Sequence, residues 1–284
     1  MRAAVVQMNS GVDVARNLEV AERLVREAAG DGAELVVLPE KWNLLRGDGD
    51  ADTRSVDADD AAGPPFRWAQ ELGIHLVAGS MAVRFPGEER ARNRSLYFRP
   101  SGRLAAEYDK LHMFDVDVEG VAYRESEHEG PGDRIVTASM ADEGDESGPL
   151  DDVRLGLSVC YDLRFPELYR ILALRGAHIV TVPSAFTAPT GRDHWEVLLR
   201  ARAIENQLFV VAANQVGPAP PNHESWGHSM IVDPWGRVLA ELPDGEGYAI
   251  ADLDLAELRR VRESLPSLAN RRPDAYRWPA EVGA

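Results

Sequence analysis

Six short apolar runs recur along the chain, "AAVVQM", "ELVVLP", "IHLVAGSMAV", "LGLSVC", "HIVTVP" and "LFVVAAN", with helix-like patterns between them. Short, often β-branched runs read as strands, and their alternation with helices restricts the chain to an α/β pattern. A first helix is predicted after "NSGVD", over residues 15–29, with Leu18, Ala21, Leu24, Val25 and Ala28 on one face and Gly30 and Gly32 as its stop. A second is predicted from Pro166, whose missing N–H suits a first helical turn, to just before Gly176. The stretch "HWEVLLRARAIENQ" is expected to be a helix that buries Trp195, Leu198, Leu199 and Ile204 and engages its arginines in ion pairs.

An internal echo organises these elements. "YFRPSGRLAAEY" (97–108) and "IVDPWGRVLAEL" (231–242) each read as an apolar strand, a turn containing Gly, and a second strand, the signature of a β-hairpin. In each half the hairpin follows strand, helix and strand, and in the second half a last strand, "GYAIADLD", comes after it. Two similar sheets packed together, with helices outside, satisfy this pattern. No low-complexity linker separates the halves, so residues 1–284 are read as one domain, and 44% hydrophobic content supports a large core.

Charge and cysteine usage narrow the partners. A formal net charge of −16 would repel a phosphate backbone, which argues against nucleic acid. Much of the excess lies in residues 47–61 and 141–152, read as solvated loops. "MRAAVVQMNSG" turns polar too early for a signal peptide, and no run approaches the ~20 apolar residues of a membrane span. The single cysteine, Cys160, cannot form an intramolecular disulfide and suits a reducing compartment. The expectation is a cytoplasmic protein without a membrane partner.

The polar residues that end the strands suggest a chemistry. "ELVVLP" delivers Glu40, "RLAAEYDK" delivers Lys110 and "VRLGLSV" delivers Cys160, and strand ends in α/β proteins commonly carry functional groups. A thiol with its ordinary pKa of ~8.5 needs a base to become a nucleophile at neutral pH. Glu40 can act as that base, and Lys110 with the backbone N–H of Tyr161 can stabilise an oxyanion. Each residue alone has a commoner role, a buried filler for the cysteine and a surface charge for the others. Periodicity does not bring distant segments together, so both readings stand at this level.

The blocks "LPEKW", "YDKLHMFDVDV" and "VCYDLRFPEL" resemble, in order and spacing, the three signature blocks of the nitrilase, or carbon-nitrogen hydrolase, superfamily. The similarity continues through "YRESEHEGPGD", "PSAFTAPTGRDHWEVLLRARAIENQ" and "GHSMIVDPWGRVLAEL". It is strongest toward the branch that holds deaminated glutathione amidase and ω-amidase. The resemblance implies an α+β fold, a four-layer αββα sandwich that dimerises into eight layers, with the segment from about 264 to 284 packing on a partner subunit. It implies a Glu40, Lys110, Cys160 triad and a second glutamate, Glu125, that holds the lysine and substrate in place.

Other candidates fill out the site. Arg164, four residues after the cysteine, either pairs with Asp162 or Glu167 as scaffold or binds a substrate carboxylate with its planar fork. His194 or Trp195 is expected to edge the pocket. His112 is read as a structural hydrogen-bonding residue rather than a partner for the thiol. His223 and His228 lack metal-ligand spacing, "GDGDAD" lacks a full calcium-loop pattern, and neither a metal nor a cofactor is expected. The leading expectation is an amidase acting on the terminal carboxamide of a small carboxylate-bearing compound through a thioester on Cys160. An N-carbamoyl or nitrile hydrolase with the same triad and a non-catalytic interaction protein on the same fold are the alternatives.

Overall fold

The computed structural model of the protein describes residues 1–45, 55–118, 120–141, 150, 152–219 and 223–276. The predicted first helix forms over Val14–Gly30, started by the Asp13 side chain, which accepts the N–H of Arg16. Its buried face is Ala21, Leu24, Val25 and Ala28, with Asn17 also turned inward. The second helix runs Pro166–Leu174 and the third Ala188–Asn206.

Two sheets carry the layers. In the first, Arg2–Gln7, Leu35–Val37 and His75–Val77 lie parallel, and Ala91–Phe98 pairs antiparallel with both His75–Val77 and Leu104–Asp109. In the second, Arg154–Leu157, Ile179–Thr181 and Phe209–Ala212 lie parallel, followed by the antiparallel Met230–Val232 and Val238–Glu241. Both hairpins of the sequence echo therefore sit at corresponding places in two similar sheets. The last strand differs from a simple reading of the second half. Gly247–Asp252 crosses back and pairs antiparallel with Arg2–Gln7, completing the first sheet. Thr137–Ser139 takes the matching edge of the second sheet.

Strand alternation builds the sandwich. Ala3, Val5, Leu35, Val37 and Val77 point into the core shared with Leu155, Leu157 and Ile179 of the second sheet. Their neighbours Ala4, Val6, Val36 and Leu76 point the other way, against Leu24 and Val25 of Val14–Gly30 and Trp68 of the helix Gly63–Leu72. The helices Pro166–Leu174 and Ala188–Asn206 cover the second sheet with Leu168, Leu172, Trp195 and Leu199. The result is the four-layer αββα sandwich of an α+β fold. Full burial of each such Leu or Val stabilises the fold by about 1.5–3 kcal/mol.

Two expectations are corrected here. Ile204 is exposed rather than core: the helix buries Trp195, Leu199 and Ala203, and Ile204 lies off that face, beside the turn at Gly236. The acidic stretch 47–61 is not loop throughout: its described end forms the strand Val56–Asp57, paired with Met81–Arg84, and the short helix Ala58–Ala61. "GDGDAD" itself, most of the 141–152 segment and residues 277–284 of the predicted extension lie outside the described residues. Among the described residues no helix is long and apolar enough to cross a membrane.

Candidate active site

The strand Leu35–Val37 ends in Leu38 and Pro39, which carry the chain to Glu40. Gly79 permits this approach: its backbone is left-handed, and a Cβ there would stand 1.9 Å from the Pro39 carbonyl oxygen. Cys160 follows the strand Arg154–Leu157 at a sharp turn, with φ 48° and its N–H donated to the Pro183 carbonyl at 2.8 Å. Left-handed backbone at a non-glycine residue is strained, and the hydrogen bonds around it hold it there. Lys110 comes directly after Leu104–Asp109, its N–H on the Asn93 carbonyl at 2.9 Å.

The three side chains meet between the sheets. Glu40 is 3% exposed, Lys110 1% and Cys160 8%. Lys110 Nζ lies 3.0 Å from Glu40 Oε1 and 2.9 and 2.8 Å from the two oxygens of Glu125. The other Glu40 oxygen accepts the N–H of Ala185 at 2.9 Å. The Cys160 thiol faces both the Glu40 carboxylate and that N–H. Glu125 also accepts the N–H of Phe114 at 2.7 Å.

The electrostatics follow from burial opposed by charge. Burial first, then the Glu40 carboxylate, push the Cys160 thiol well above its ordinary range, against the pull of Lys110. The thiol is therefore protonated at rest and gives up its proton only to a base. Burial alone would discharge Lys110, but Glu125 and Glu40 outweigh it and keep the ammonium charged. For Glu125, burial acts upward, yet Lys110 and Lys41 overcome it and hold the carboxyl well below the usual range.

Residues that sequence reasoning passed over complete the shell. Asn93 donates to Glu40 at 2.8 Å and to Glu125 at 3.2 Å. Lys41, also left-handed at φ 53°, pairs with Glu129 at 2.8 Å and reaches Glu125 at 3.7 Å. Burial, only partly offset by Lys41, pushes Glu129 up to about 7. Charged residues in polar stretches look like surface in a sequence, so nothing there marks these as buried; only the adjacency of Lys41 to Glu40 was a signal.

Asp162 backs the cysteine turn. It is fully buried and accepts from Tyr108 Oη at 2.6 Å and the Val159 N–H at 2.9 Å, and bonds the His112 ring at 2.7 Å. His112 stacks on Phe165 with ring centroids 3.5 Å apart, the structural role the sequence suggested. With Asp162 so occupied, Arg164 turns elsewhere: its Nη1 is 3.2 Å from Nδ1 of the exposed His194, and its guanidinium lies over the Phe186 ring at 5.1 Å. Tyr161 packs edge-on against Phe114 and Phe165. Trp195 is buried and donates to the His228 carbonyl, and His228 bonds Glu241 at 2.7 Å.

A buried carboxylate, ammonium and thiol from three remote segments now stand on one site, and a model of the carbon-nitrogen hydrolase family matches residues 2–263. The chain belongs to the carbon-nitrogen hydrolase family. It is 40% identical to a deaminated glutathione amidase of Synechocystis sp. over 273 residues, 95% of this chain and 97% of that one. Its structure is similar to the C. elegans NitFhit protein, with TM-score 0.85, 35% identity, and coverage of 99% of this chain and 68% of the other. It is also similar to a mutant amidase of Nesterenkonia sp. AN1, with TM-score 0.78, 28% identity, and coverage of 96% and 94%. That structure shows covalent addition of the acetamide moiety of fluoroacetamide at the active site cysteine. The protein is an amidase of the nitrilase superfamily, in its ω-amidase-like branch.

Proposed function

We propose that the protein hydrolyses the terminal carboxamide of a small carboxylate-bearing compound, of deaminated glutathione or ω-amide type, and releases ammonia. Glu40 takes the Cys160 proton as the sulfur attacks the amide carbon. Lys110 and the Tyr161 N–H stabilise the oxyanion, and Glu125 holds Lys110 in place. Glu40 returns the proton to the departing nitrogen, ammonia leaves, and a thioester remains. Glu40 then deprotonates water for its attack on the thioester; the acid is released and the thiol restored. The route uses three side chains, a supporting glutamate and one backbone N–H, and calls on neither metal nor cofactor.

Arg164 and His194 are proposed to receive the substrate carboxylate. The position of Arg164 beside Phe186, one residue from the Ala185 N–H that touches Glu40, supports this. We further read residues 1–284 as one cytoplasmic domain that assembles as a homodimer, with the segment from about 264 packing on the second subunit. Exposed Leu265 and Tyr276 on that segment support the packing.

The observation that carries the reading is the meeting of Glu40, Lys110 and Cys160 in one buried cluster. Ammonia release from deaminated glutathione, a set of ω-amides and their methyl esters tests it. Acidic amides should be turned over fastest, and Cys160→Ala should turn over none while keeping its fold. Turnover by the alanine variant, or preference for the esters, would refute the mechanism or the substrate class respectively.

A further inference from the structure

Beside the site the proposed reaction leaves two charged side chains without a role, the buried Glu129 and the partly exposed Lys41. The Lys41 ammonium lies 2.8 Å from Glu129 Oε1 and 3.7 Å from Glu125 Oε1. Glu129 Oε2 is buried and has no hydrogen-bond partner among the described residues. The cations on the adjoining segment are engaged elsewhere: Arg92 bonds Glu88 and the Pro131 carbonyl, and Arg90 bonds the Ser126 carbonyl. A carboxylate so far from water is expensive to hold, and its ion pair is weak evidence for stability.

Its position suggests another use. Lys110 faces Glu40 and Glu125 together, so one positive charge is divided between two carboxylates before any substrate arrives. Lys41 stands 3.7 Å from Glu125 Oε1, an oxygen that Lys110 also bonds, and takes up part of that negative charge. We propose that Lys41, seated on Glu129, is a positioning residue that balances Glu125 and so leaves the Lys110 charge available to the Cys160 thiolate and the oxyanion. Its consequence for turnover rests on the amidase chemistry above; its consequence for the thiol needs no substrate.

Alkylation by iodoacetamide, in which the thiolate sulfur displaces iodide, reports how readily Cys160 loses its proton and is followed by intact mass. Near pH ~8, Lys41→Met should slow alkylation about tenfold, while Lys41→Arg, which keeps the charge, should stay within about threefold of the wild type. Glu129→Gln keeps an oxygen for Lys41 but removes the opposing charge, and should react at least about twofold faster than the wild type. Circular dichroism and melting curves identify the folded variants. A folded Lys41→Met protein alkylated at the wild-type rate overturns the inference. Should that variant not fold, Glu129→Gln decides, because a folded Glu129→Gln protein no faster than the wild type overturns it equally. Ammonia release by the wild type is measured in parallel: its absence, with the alkylation order as expected, refutes the amidase chemistry and leaves the inference standing.

Discussion

Two buried carboxylates stand behind the site, and they are held in opposite ways. Asp162, behind the cysteine, bonds a tyrosine hydroxyl, a backbone N–H and a histidine ring, so its geometry is fixed from several directions. Glu129, on the Glu40 side, has one ammonium on one oxygen and no bonding partner on the other among the described residues. Many donors on one acceptor fix a position, whereas a lone ion pair chiefly sets a local charge. The Cys160 corner is built for placement and the Glu40 corner, or base corner after the role proposed for Glu40, for electrostatics.

The largest effect is expected at the base corner. Glu40→Gln preserves shape and removes the proposed proton acceptor, so kcat should fall by about 10²–10⁴ while KM moves far less. Steady-state kinetics on a good amide substrate measure this split. A rise in KM with kcat unchanged would mean that Glu40 binds rather than reacts.

Stability should separate the two carboxylates. Asp162→Asn turns an NH₂ group toward donors that need an acceptor, and should lower unfolding free energy by about 3 kcal/mol in urea titrations. Glu129→Gln should change it by less than about 1 kcal/mol, because burying that charge was itself unfavourable. Equal losses would erase the distinction.

The sheets can be compared by acid. His75 opens a strand of the first sheet and His178 precedes one of the second; burial, and then neighbouring arginines, lower each to about 4 from 6.5. Because the folded values are depressed, the unfolded chain binds more protons between them. Stability is then fully present above pH 6.5 and falls as the pH drops toward 4. For the buried His75 the loss is at most about 3 kcal/mol, and the half-buried His178 contributes less. Denaturant titrations from neutral to acid pH should show this slope, and His75→Asn should flatten most of it.

The smallest effect probes the surface of the cysteine corner. Arg164→Lys keeps the charge and loses the fork, so kcat/KM for an acidic ω-amide should drop about tenfold and that for its methyl ester much less. Equal losses on both would make Arg164 scaffold.

Much of the site was legible because it ends strands. The runs before Glu40 and Cys160 are apolar and short, and the helix begun by Pro166 marks the turn that holds Cys160. Lys110 followed from the first hairpin. Asn93, Lys41 and Glu129 were not legible, since their burial is decided by a neighbouring strand and a turn far away in sequence. Arg164 was offered Asp162 by proximity along the chain, but Tyr108 and His112 had taken it from across the fold. The crossing of Gly247–Asp252 to the first sheet was hidden for the same reason, as alternation tells which residues face a core and not which strand lies alongside.

That crossing bears on how the molecule comes into being. During synthesis Arg2–Gln7 is made long before its antiparallel partner Gly247–Asp252. Until then one edge of the first sheet offers bare N–H and C=O groups to any passing strand. A pairing of such long sequence separation is slow to form, and a ribosome-bound chain stopped before residue 247 would expose that edge to aggregation. The sheet that carries Glu40 is closed only once Gly247–Asp252 has been made, whereas the sheet that carries Cys160, from Thr137–Ser139 to Val238–Glu241, is assembled from one continuous stretch of chain.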